Sequence, residues 1–428
     1  MRKLVPSHLP QMRGSVMLKT NRNSAPMQNN SDHCLKMFSK TNRSYRHYNS
    51  PFFNEIEFEK LLMGGEGGYV SSCYARLTGD LLRPSRSILD SPHAQLLAMY
   101  RAEGENIFSL KKFKTTSYYR NAATCIKLTG KYFGARSPKE AVKLAREFCQ
   151  MLDGKQLEKH LGAKNAKDFP IIVRRILFSD CFEILRGEHL LALASAKGFK
   201  KCLCMVEPFD PAITPIQQMV LDSNGRQLYH PISAPELASW PLIRRCNDRM
   251  KMMADFLARK KIVSGSHLDV GCCYGWFVAE MSKLGFQALG VDRNPASLAV
   301  GQIAYGLPDS TIEAQDVVAF LNAQSRRFDV VTCLSILHHF VLVQRSISAV
   351  ELIQKIDAIT NKVLFFDTGE CHEDNLTQRL ATWDAKFIEQ WLKEQTSFDH
   401  IEVLGIDSDN VGHCRNRYQR HLFACSRS

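Results

Sequence analysis

The stretch that decides the fold reads His267-Leu-Asp269-Val-Gly271-Cys-Cys-Tyr-Gly275-Trp-Phe277. An apolar strand ends in an acid, a glycine-containing turn follows, and the apolar pattern then continues as a helix over residues 277–284. Glycines at Gly271 and Gly275 would let the backbone pass beneath a ligand where a Cβ atom would clash. The first turn of the helix also offers unpaired N–H groups to a polar ligand. We expect a ligand site at this turn.

The strands that follow extend this unit into a sheet. Residues 288–291 are apolar and end at Asp292, and an acid at the tip of a second strand accepts hydrogen bonds from ribose hydroxyls in Rossmann-type sites. Further strands are predicted at residues 311–315, 327–333 and 362–366, and at 401–404 and 420–424. Because strands and helices alternate, the pattern predicts an α/β fold with parallel strands and right-handed crossovers.

The same turn bears on which nucleotide-like ligand would fit. A nicotinamide dehydrogenase uses Gly-x-Gly-x-x-Gly, in which the third glycine lets helix and strand pack tightly. The corresponding positions here are Gly271, Cys273 and Trp276. The indole of Trp276 would obstruct that approach, so the sequence argues against a dehydrogenase.

Residues 268–423 resemble the class I S-adenosylmethionine-dependent methyltransferases, in particular the small-molecule subgroup with Leu-Asp-x-Gly-Cys-x-x-Gly and a later Leu-His-His. The resemblance implies a Rossmann-like seven-stranded sheet whose last strand is inserted antiparallel, and S-adenosyl-L-methionine as cofactor. It departs at Cys273, where the family usually has a glycine. The cofactor contacts that it implies are Asp269, Gly271, Cys273 and Gly275 near the methionine part, Asp292 and Arg293 near the ribose, Asp316 and Val317 near the adenine, and Leu334 beneath the cofactor.

The methyl acceptor is predicted to be a hydroxyl oxygen. Transfer from a sulfonium needs proximity and orientation, and a hydroxyl must also lose its proton, for which histidine is the usual base near neutral pH. His338 follows the fourth strand and is the predicted base, although it could equally cap or pack at a helix start. The preceding residues 334–337 lack the Asn-Pro-Pro-Tyr type of motif found in enzymes that methylate base amines.

Three further residues are candidates for substrate contact, each with a structural alternative. Arg245 and its neighbours Arg244 and Arg249, on a helix predicted at 242–260, could bind an acidic acceptor or form a solvated face. Trp240 could line the acceptor pocket or pack between domains. His339, next to the predicted base, is the third candidate, and it could instead cap or pack at the helix start.

A smaller α+β domain is predicted over residues 96–207. A helix is predicted at 138–152. The strands that follow at 170–176, 182–185 and 201–206, with a helix at 189–197, resemble the core of the ParB-like fold, whose motif Gly-Glu-Arg-Arg-x-x-Ala is matched in part from Gly187 to Ala194. In that family the two arginines serve nucleotide phosphates, but His189 and Leu190 stand here and supply no bidentate charged bonds. A scaffold is favoured over a nucleotide or nucleic-acid site.

The rest of the chain is predicted to be less ordered. Residues 1–95 are interpreted as a largely disordered basic leader, with nine Lys/Arg against one acid in residues 1–50 and one short helix near 58–63. Residues 208–240 are interpreted as a proline-rich linker with a hairpin around Asn224-Gly225. The methyltransferase domain is placed at 241–428.

Composition limits the function classes. A chain of 428 residues suits two or three domains. The net charge of +13 sits mainly on the leader, because residues 262–428 hold 14 basic and 20 acidic residues, which does not favour a nucleic-acid surface on that domain. No apolar stretch is long enough for a membrane span, no secretory signal is recognised, and no Cys-x-x-Cys pair indicates a metal. A cytoplasmic location is expected.

The function predicted from the sequence is O-methylation of a small molecule or carbohydrate, as in bacterial surface-polysaccharide pathways. Two alternatives stay open. One is an RNA or DNA methyltransferase that uses the basic leader and the N-terminal module for binding. The other is a non-catalytic regulator that keeps only the cofactor-binding fold.

Overall fold

The computed structural model describes residues 52–63, 87–153, 171–208, 210–342, 346–373, 380–408, 410–411 and 419–428. Its strands form one five-stranded and one seven-stranded sheet. Among the described helices, none is long and apolar enough to cross a membrane.

The N-terminal module is a mixed sheet with helices around it. Its strand order is β1-β5-β3-β4-β2, with β1 antiparallel to β5 and β2 parallel to β4. The strands are β1 (Phe53–Glu57), β2 (Leu61–Met63), β3 (Ile172–Arg175), β4 (Phe182–Arg186) and β5 (Lys201–Val206). The helices are α1 (Pro92–Glu103), α2 (Leu110–Phe113), α3 (Ser117–Thr129), α4 (Pro138–Gln150) and α5 (Glu188–Ala196).

The C-terminal module confirms the predicted seven-stranded sheet, in the order β11-β12-β10-β9-β6-β7-β8. β8, β7, β6, β9 and β10 are parallel, and β12 lies antiparallel between β10 and β11. The strands are β6 (Gly265–Val270), β7 (Phe286–Asp292), β8 (Ile312–Ala314), β9 (Phe328–Leu334), β10 (Thr360–Asp367), β11 (His400–Ile406) and β12 (His421–Ser426). The helices are α6 (Pro215–Asn224), α7 (Asn247–Arg259), α8 (Trp276–Lys283), α9 (Pro295–Tyr305), α10 (Val317–Ala323), α11 (His338–Leu342), α12 (Ala349–Ile359) and α13 (Ala385–Gln395).

Both faces of this sheet are covered, which explains the continuous apolar runs of its central strands. On one face, Leu352 and Ile356 of α12 pack with Val331 of β9. On the other, Phe256 of α7 and Phe277 of α8 pack with the opposite side chains of the same strands. The polar strand ends are therefore the places where chemistry is accessible.

The predicted leader is wrong for residues 52–63 and 87–95. β1 and β2 are the two edge strands of the N-terminal sheet, and Leu61 and Met63 are buried. The short helix predicted near 58–63 is one 3-10 turn at Phe58–Lys60, after which Leu61–Met63 form β2. Ser91 caps α1, and His93 is fully buried. The partners of both strands lie far downstream in the chain, so no local pattern identifies them. Residues 1–51 and 64–86, where the leader is also predicted, lie outside the described residues.

The predicted linker is also wrong, because residues 215–224 form α6 and not one arm of a hairpin. Thr214 and Gln217 make a reciprocal capping box, and Pro215 stands in the first turn. Gly225, at φ 61° and ψ −146°, ends this helix, so the Asn-Gly pair is not a hairpin turn. Other side chains of this segment pack against the C-terminal module, namely Ile216, Val220, Leu228 and Trp240 with Tyr274 and Val300.

The predicted helix at 242–260 begins later, at Asn247. Cys246 precedes it with a left-handed φ of 65°, which ends the extended segment before the helix. Most other predicted elements agree with the structure to within a few residues, the usual margin at element ends. The likeness of the N-terminal module to the ParB-like fold stays a prediction.

Removing a buried side chain of β2 tests whether this segment belongs to the fold. Leu61 is fully buried, so Leu61→Ala should lower the free energy of unfolding by about 2–5 kcal/mol through lost burial and the cavity it leaves. Denaturant unfolding of the full chain measures this. Phe52→Ala is the control, because that ring is 44% exposed and its loss should cost about 0.5 kcal/mol or less. If Leu61→Ala lowered the free energy of unfolding as little as Phe52→Ala, residues 52–63 would not be part of the fold.

Candidate active site

Three residues of the turn after β6 have a left-handed backbone conformation. Gly271, Cys273 and Gly275 have φ values of 75°, 53° and 73°. A Cβ atom on Gly271 would lie 2.3 Å from Ile336 Cδ1, and one on Gly275 would lie 2.7 Å from Leu307 Cδ1. Both glycines therefore suit the left-handed backbone, and a Cβ atom at either position would require the Ile336 or Leu307 side chain to shift. The predicted clash with a ligand is not required to explain them.

Asp292 at the tip of β7 fixes this turn. Its Oδ2 accepts a 2.9 Å hydrogen bond from the backbone N–H of Cys273, and its Oδ1 accepts a 2.8 Å bond from Asn294 N–H. A carboxylate has about four lone-pair positions, so each oxygen still has capacity for one hydroxyl donor. The next strand ends in a similar arrangement, because Asp316 Oδ1 caps α10 by accepting from Val318 and Ala319 N–H groups, and neither bond uses Oδ2.

Asp269 at the end of β6 lies beneath the turn and is only 3% exposed. Burial raises its pKa to about 7, against the lowering effect of a 2.7 Å hydrogen bond from the Thr332 hydroxyl. The structure thus brings most of the predicted cofactor residues to the carboxyl edge of the sheet. Leu334 is buried there, Val317 is half-buried, and Arg293 is exposed.

A buried ionic network occupies the adjoining part of the same edge. Asp367, the last residue of β10, accepts hydrogen bonds at 2.6 Å from Ser335 N–H and at 2.9 Å from Arg249 Nη1. Arg244 Nη1 lies 3.1 Å from Asp407 Oδ2 and 3.2 Å from the Ser335 hydroxyl. Ser335 has a left-handed φ of 62°, so this network stabilises a strained residue directly after β9.

The interpretation of the three arginines as a solvated face is wrong for two of them. Arg244 and Arg249 are each 1% exposed and paired with buried carboxylates, whereas Arg245 between them is exposed. The helical pattern hid this arrangement because residues 242–246 are not helical. Trp240 is likewise a packing residue, since it is 5% exposed and its Nε1–H donates to the Phe178 carbonyl at 3.1 Å.

His338 does not have the geometry of a general base. It is 6% exposed, and burial lowers its pKa to about 3, so the imidazole is neutral. Its Nδ1 accepts a 3.2 Å hydrogen bond from Gly369 N–H, which requires the ring proton to sit on Nε2. His338 therefore has no exposed nitrogen lone pair that could accept a proton. Its Nε2–H group is a hydrogen-bond donor. His339 is exposed, and its ring lies 4.3 Å from that of His338.

A further histidine lies at this edge, and no motif in the sequence identifies it. His421, at the start of β12, is 25% exposed in its side chain, and its Nδ1 lies 3.1 and 3.0 Å from the two carboxylate oxygens of Glu370. Glu370 is buried, and its N–H donates to Glu373, which pairs with Arg420 through two bonds of 2.7 and 2.8 Å. Only the polar composition of the residues after β10 hinted at this cluster.

The N-terminal module has no charged group at the two motif positions, as the sequence predicts. His189 is buried among the rings of His93, Phe133 and Phe148, with centroids 4.4–4.6 Å away, and burial lowers its pKa to about 3. Its Nε2 is 2.9 Å from the Tyr118 hydroxyl, and Leu190 is buried in the core. Neither residue is available to a phosphate.

Comparison with known proteins supports the assignment of the C-terminal module to the methyltransferases. Residues 243–419 match the family model described as a methyltransferase domain, so the C-terminal module is a methyltransferase domain, a class whose methyl donor is S-adenosylmethionine. The chain is 36% identical over 85 residues to a ubiquinone biosynthesis O-methyltransferase of Pseudomonas fluorescens (strain SBW25), a match that covers 19% of this chain and 34% of that protein. The chain therefore matches about a third of this relative's length.

Solved structures of methyltransferases are also similar. The bifunctional kinase-methyltransferase WbdD is 18% identical, with 49% of this chain and 46% of that chain covered and a TM-score of 0.39. The magnesium protoporphyrin IX methyltransferase of Synechocystis PCC 6803 is 16% identical, with 51% and 87% covered and a TM-score of 0.32.

Neighbouring arginines provide a matched test of the ionic network. Arg249→Leu would leave Asp367 buried without its 2.9 Å partner, so the free energy of unfolding should fall by about 3–5 kcal/mol. Arg245→Leu changes an exposed residue and should cost about 0.5 kcal/mol or less. Denaturant unfolding of both variants measures the difference. Equal losses would mean that the network does not stabilise this edge.

Proposed function

We propose that the chain is an S-adenosylmethionine-dependent methyltransferase that acts on a hydroxyl oxygen of a small molecule. The observation that carries the proposal is the Asp292 carboxylate, clamped between the N–H groups of Cys273 and Asn294 at the edge of a methyltransferase sheet. That clamp fixes a charged acceptor at the strand tip where Rossmann-type sites bind ribose. S-adenosylmethionine, when bound, supplies an electrophilic methyl group on a sulfonium.

The chain's own residues fit this cofactor. The outer lone pairs of Asp292 suit two ribose hydroxyls, and Asp316 Oδ2 suits an amine donor of the adenine. The left-handed turn from Gly271 to Gly275 would face the methionine part, with buried Asp269 beneath it. Arg293, Val317 and Leu334 complete the proposed set of cofactor contacts.

An oxygen acceptor is favoured by two observations. The residues after β9 read Leu334-Ser-Ile-Leu337 and lack an amine-binding motif. The similar Pseudomonas protein is described as an O-methyltransferase of ubiquinone biosynthesis. We infer a small hydroxylated molecule, and the proposal includes a sugar hydroxyl such as one of a surface polysaccharide. Of the three substrate candidates, His339 stays in the proposal and so does Arg245, because both are exposed.

The N-terminal module is proposed to be a scaffold and not a nucleotide-binding site. Its β3–β4 turn contacts the segment that precedes the methyltransferase sheet, because Gln217 Nε2 donates to the Leu177 carbonyl at 2.7 Å and Trp240 donates to Phe178. These hydrogen bonds join the two modules through backbone carbonyls. A carbonyl offers no positive charge to a nucleotide phosphate.

Cofactor affinity tests the role of Asp292. Asp292→Ala removes the acceptor for two ribose hydroxyls and the clamp on the turn, so binding of S-adenosylmethionine should weaken by about 2–4 kcal/mol. Isothermal titration calorimetry on the full chain measures the affinity. Asp309→Ala, an exposed acid beyond the next helix, is the control and should bind like the wild type. Unchanged affinity in Asp292→Ala would refute the assignment.

A matched acceptor panel tests the reaction class. The full chain with radiolabelled S-adenosylmethionine is expected to methylate 3,4-dihydroxybenzoate, because the proposed site handles hydroxyl protons. The amine analogue 3,4-diaminobenzoate should react more slowly, because a site that positions a hydroxyl oxygen for in-line attack does not orient an amine lone pair in the same way. Faster transfer to the amine would contradict oxygen methylation. Cofactor binding without transfer to any hydroxyl acceptor would favour the non-catalytic regulator.

A further inference from the structure

We propose that His421, oriented by Glu370, is the base that takes the proton of the acceptor hydroxyl. This inference rests on the proposed function, and His421 takes the place of His338 as the proposed base. His421 stands at the first position of β12, and Glu370 lies three residues beyond Asp367 at the end of β10. Both belong to the carboxyl edge of the parallel strands, where ligands of open α/β sheets gather.

The position of the ring proton follows from the contacts of His421. Its Nδ1 is within 3.1 Å of both oxygens of Glu370, and an ionised carboxylate only accepts hydrogen bonds. Nδ1 therefore carries the hydrogen, and the neutral ring keeps its lone pair on Nε2. A carboxylate that holds one nitrogen of a histidine in this way leaves the other ready to accept a proton.

The neighbouring histidines do not share this arrangement. The proton of His338 is on Nε2, because its Nδ1 is occupied by the Gly369 N–H group. His372 is 38% exposed, and its Nδ1 lies 3.7 Å from Glu370 Oε2, farther than the Nδ1 of His421. His421 combines a hydrogen-bonded carboxylate with a side chain that is 25% exposed.

Glu370 is itself held in place, as a positioning residue must be. One of its oxygens also accepts from the backbone N–H of His421, and its own N–H donates to Glu373 at 3.0 Å. Glu373 is bonded at two points by Arg420, the residue before His421. The carboxylate and the imidazole are thus fixed to the same two chain segments, so their relative orientation is rigid.

The proposed step balances in atoms and charge. The acceptor oxygen forms a bond to the methyl carbon as the carbon–sulfur bond breaks, and that bond's electron pair stays on sulfur. The hydroxyl proton moves to Nε2 of His421, which becomes an imidazolium ion beside the Glu370 carboxylate. The imidazolium later releases the proton to solvent.

Turnover and ring tautomer together test the proposal in the full chain. His421→Gln should lower the rate of 3,4-dihydroxybenzoate methylation by 10²- to 10⁴-fold, the usual contribution of a general base, with cofactor affinity unchanged. Added imidazole should restore part of the rate in His421→Gly. His400→Gln is the matched control, because His400 is an exposed histidine at the opposite end of the β11–β12 pair. It should keep the wild-type rate.

Nitrogen NMR of histidine-labelled protein gives a readout that needs no acceptor. The His421 signal should report a protonated Nδ1 and an unprotonated Nε2 in the neutral ring, and Glu370→Gln should abolish that preference. An Nε2–H tautomer, or a wild-type rate in His421→Gln, would overturn the proposal. Failure of the wild type to bind S-adenosylmethionine would instead refute the proposed function, so the two failures are distinguishable.

Discussion

The buried carboxylate of Asp367 is the interaction on which this edge of the methyltransferase sheet depends. Burial opposes its ionisation, but Arg249, Arg244 and Arg420 outweigh burial and hold its pKa below the ordinary value. It joins α7 and the turn after β9, and it lies 4.0 Å from Arg420 before β12. Because its pKa is depressed on folding, its contribution to stability is complete above about pH 4 and is lost as the pH falls below that.

The parts of the fold that sequence predicts are those with local signals. The strand ends at Asp269 and Asp292 and the glycine turn between them are readable because strand, acid and glycine occur within one short segment. β2 and the buried arginines differ from the prediction because distant residues determine their environment. Leu61 pairs with Phe182, and Arg244 with Asp407, and neither partner is indicated by any nearby pattern.

The choice of the base among the histidines also depends on distant residues, because these residues decide which ring nitrogen carries the proton. His338 has the sequence position expected of a base, yet a backbone N–H from another strand end fixes its tautomer as a donor. His421 has no such motif, and its partner Glu370 approaches only because β12 inserts beside β10. Tautomers follow from hydrogen-bond partners, which a single sequence does not reveal.

The pairing of the edge strand β1 determines when the N-terminal sheet can form during synthesis of the chain. Glu57 pairs with Lys201, so the sheet closes only after the whole intervening chain has left the ribosome. At 5–20 residues per second, β1 and β2 wait on the order of 10 s for β5 and β4. During that interval the apolar side chains of Leu61–Met63 have no partner strand. Such nonlocal pairing gives a high contact order and slow folding, and a chaperone that shields this segment during synthesis would suppress aggregation.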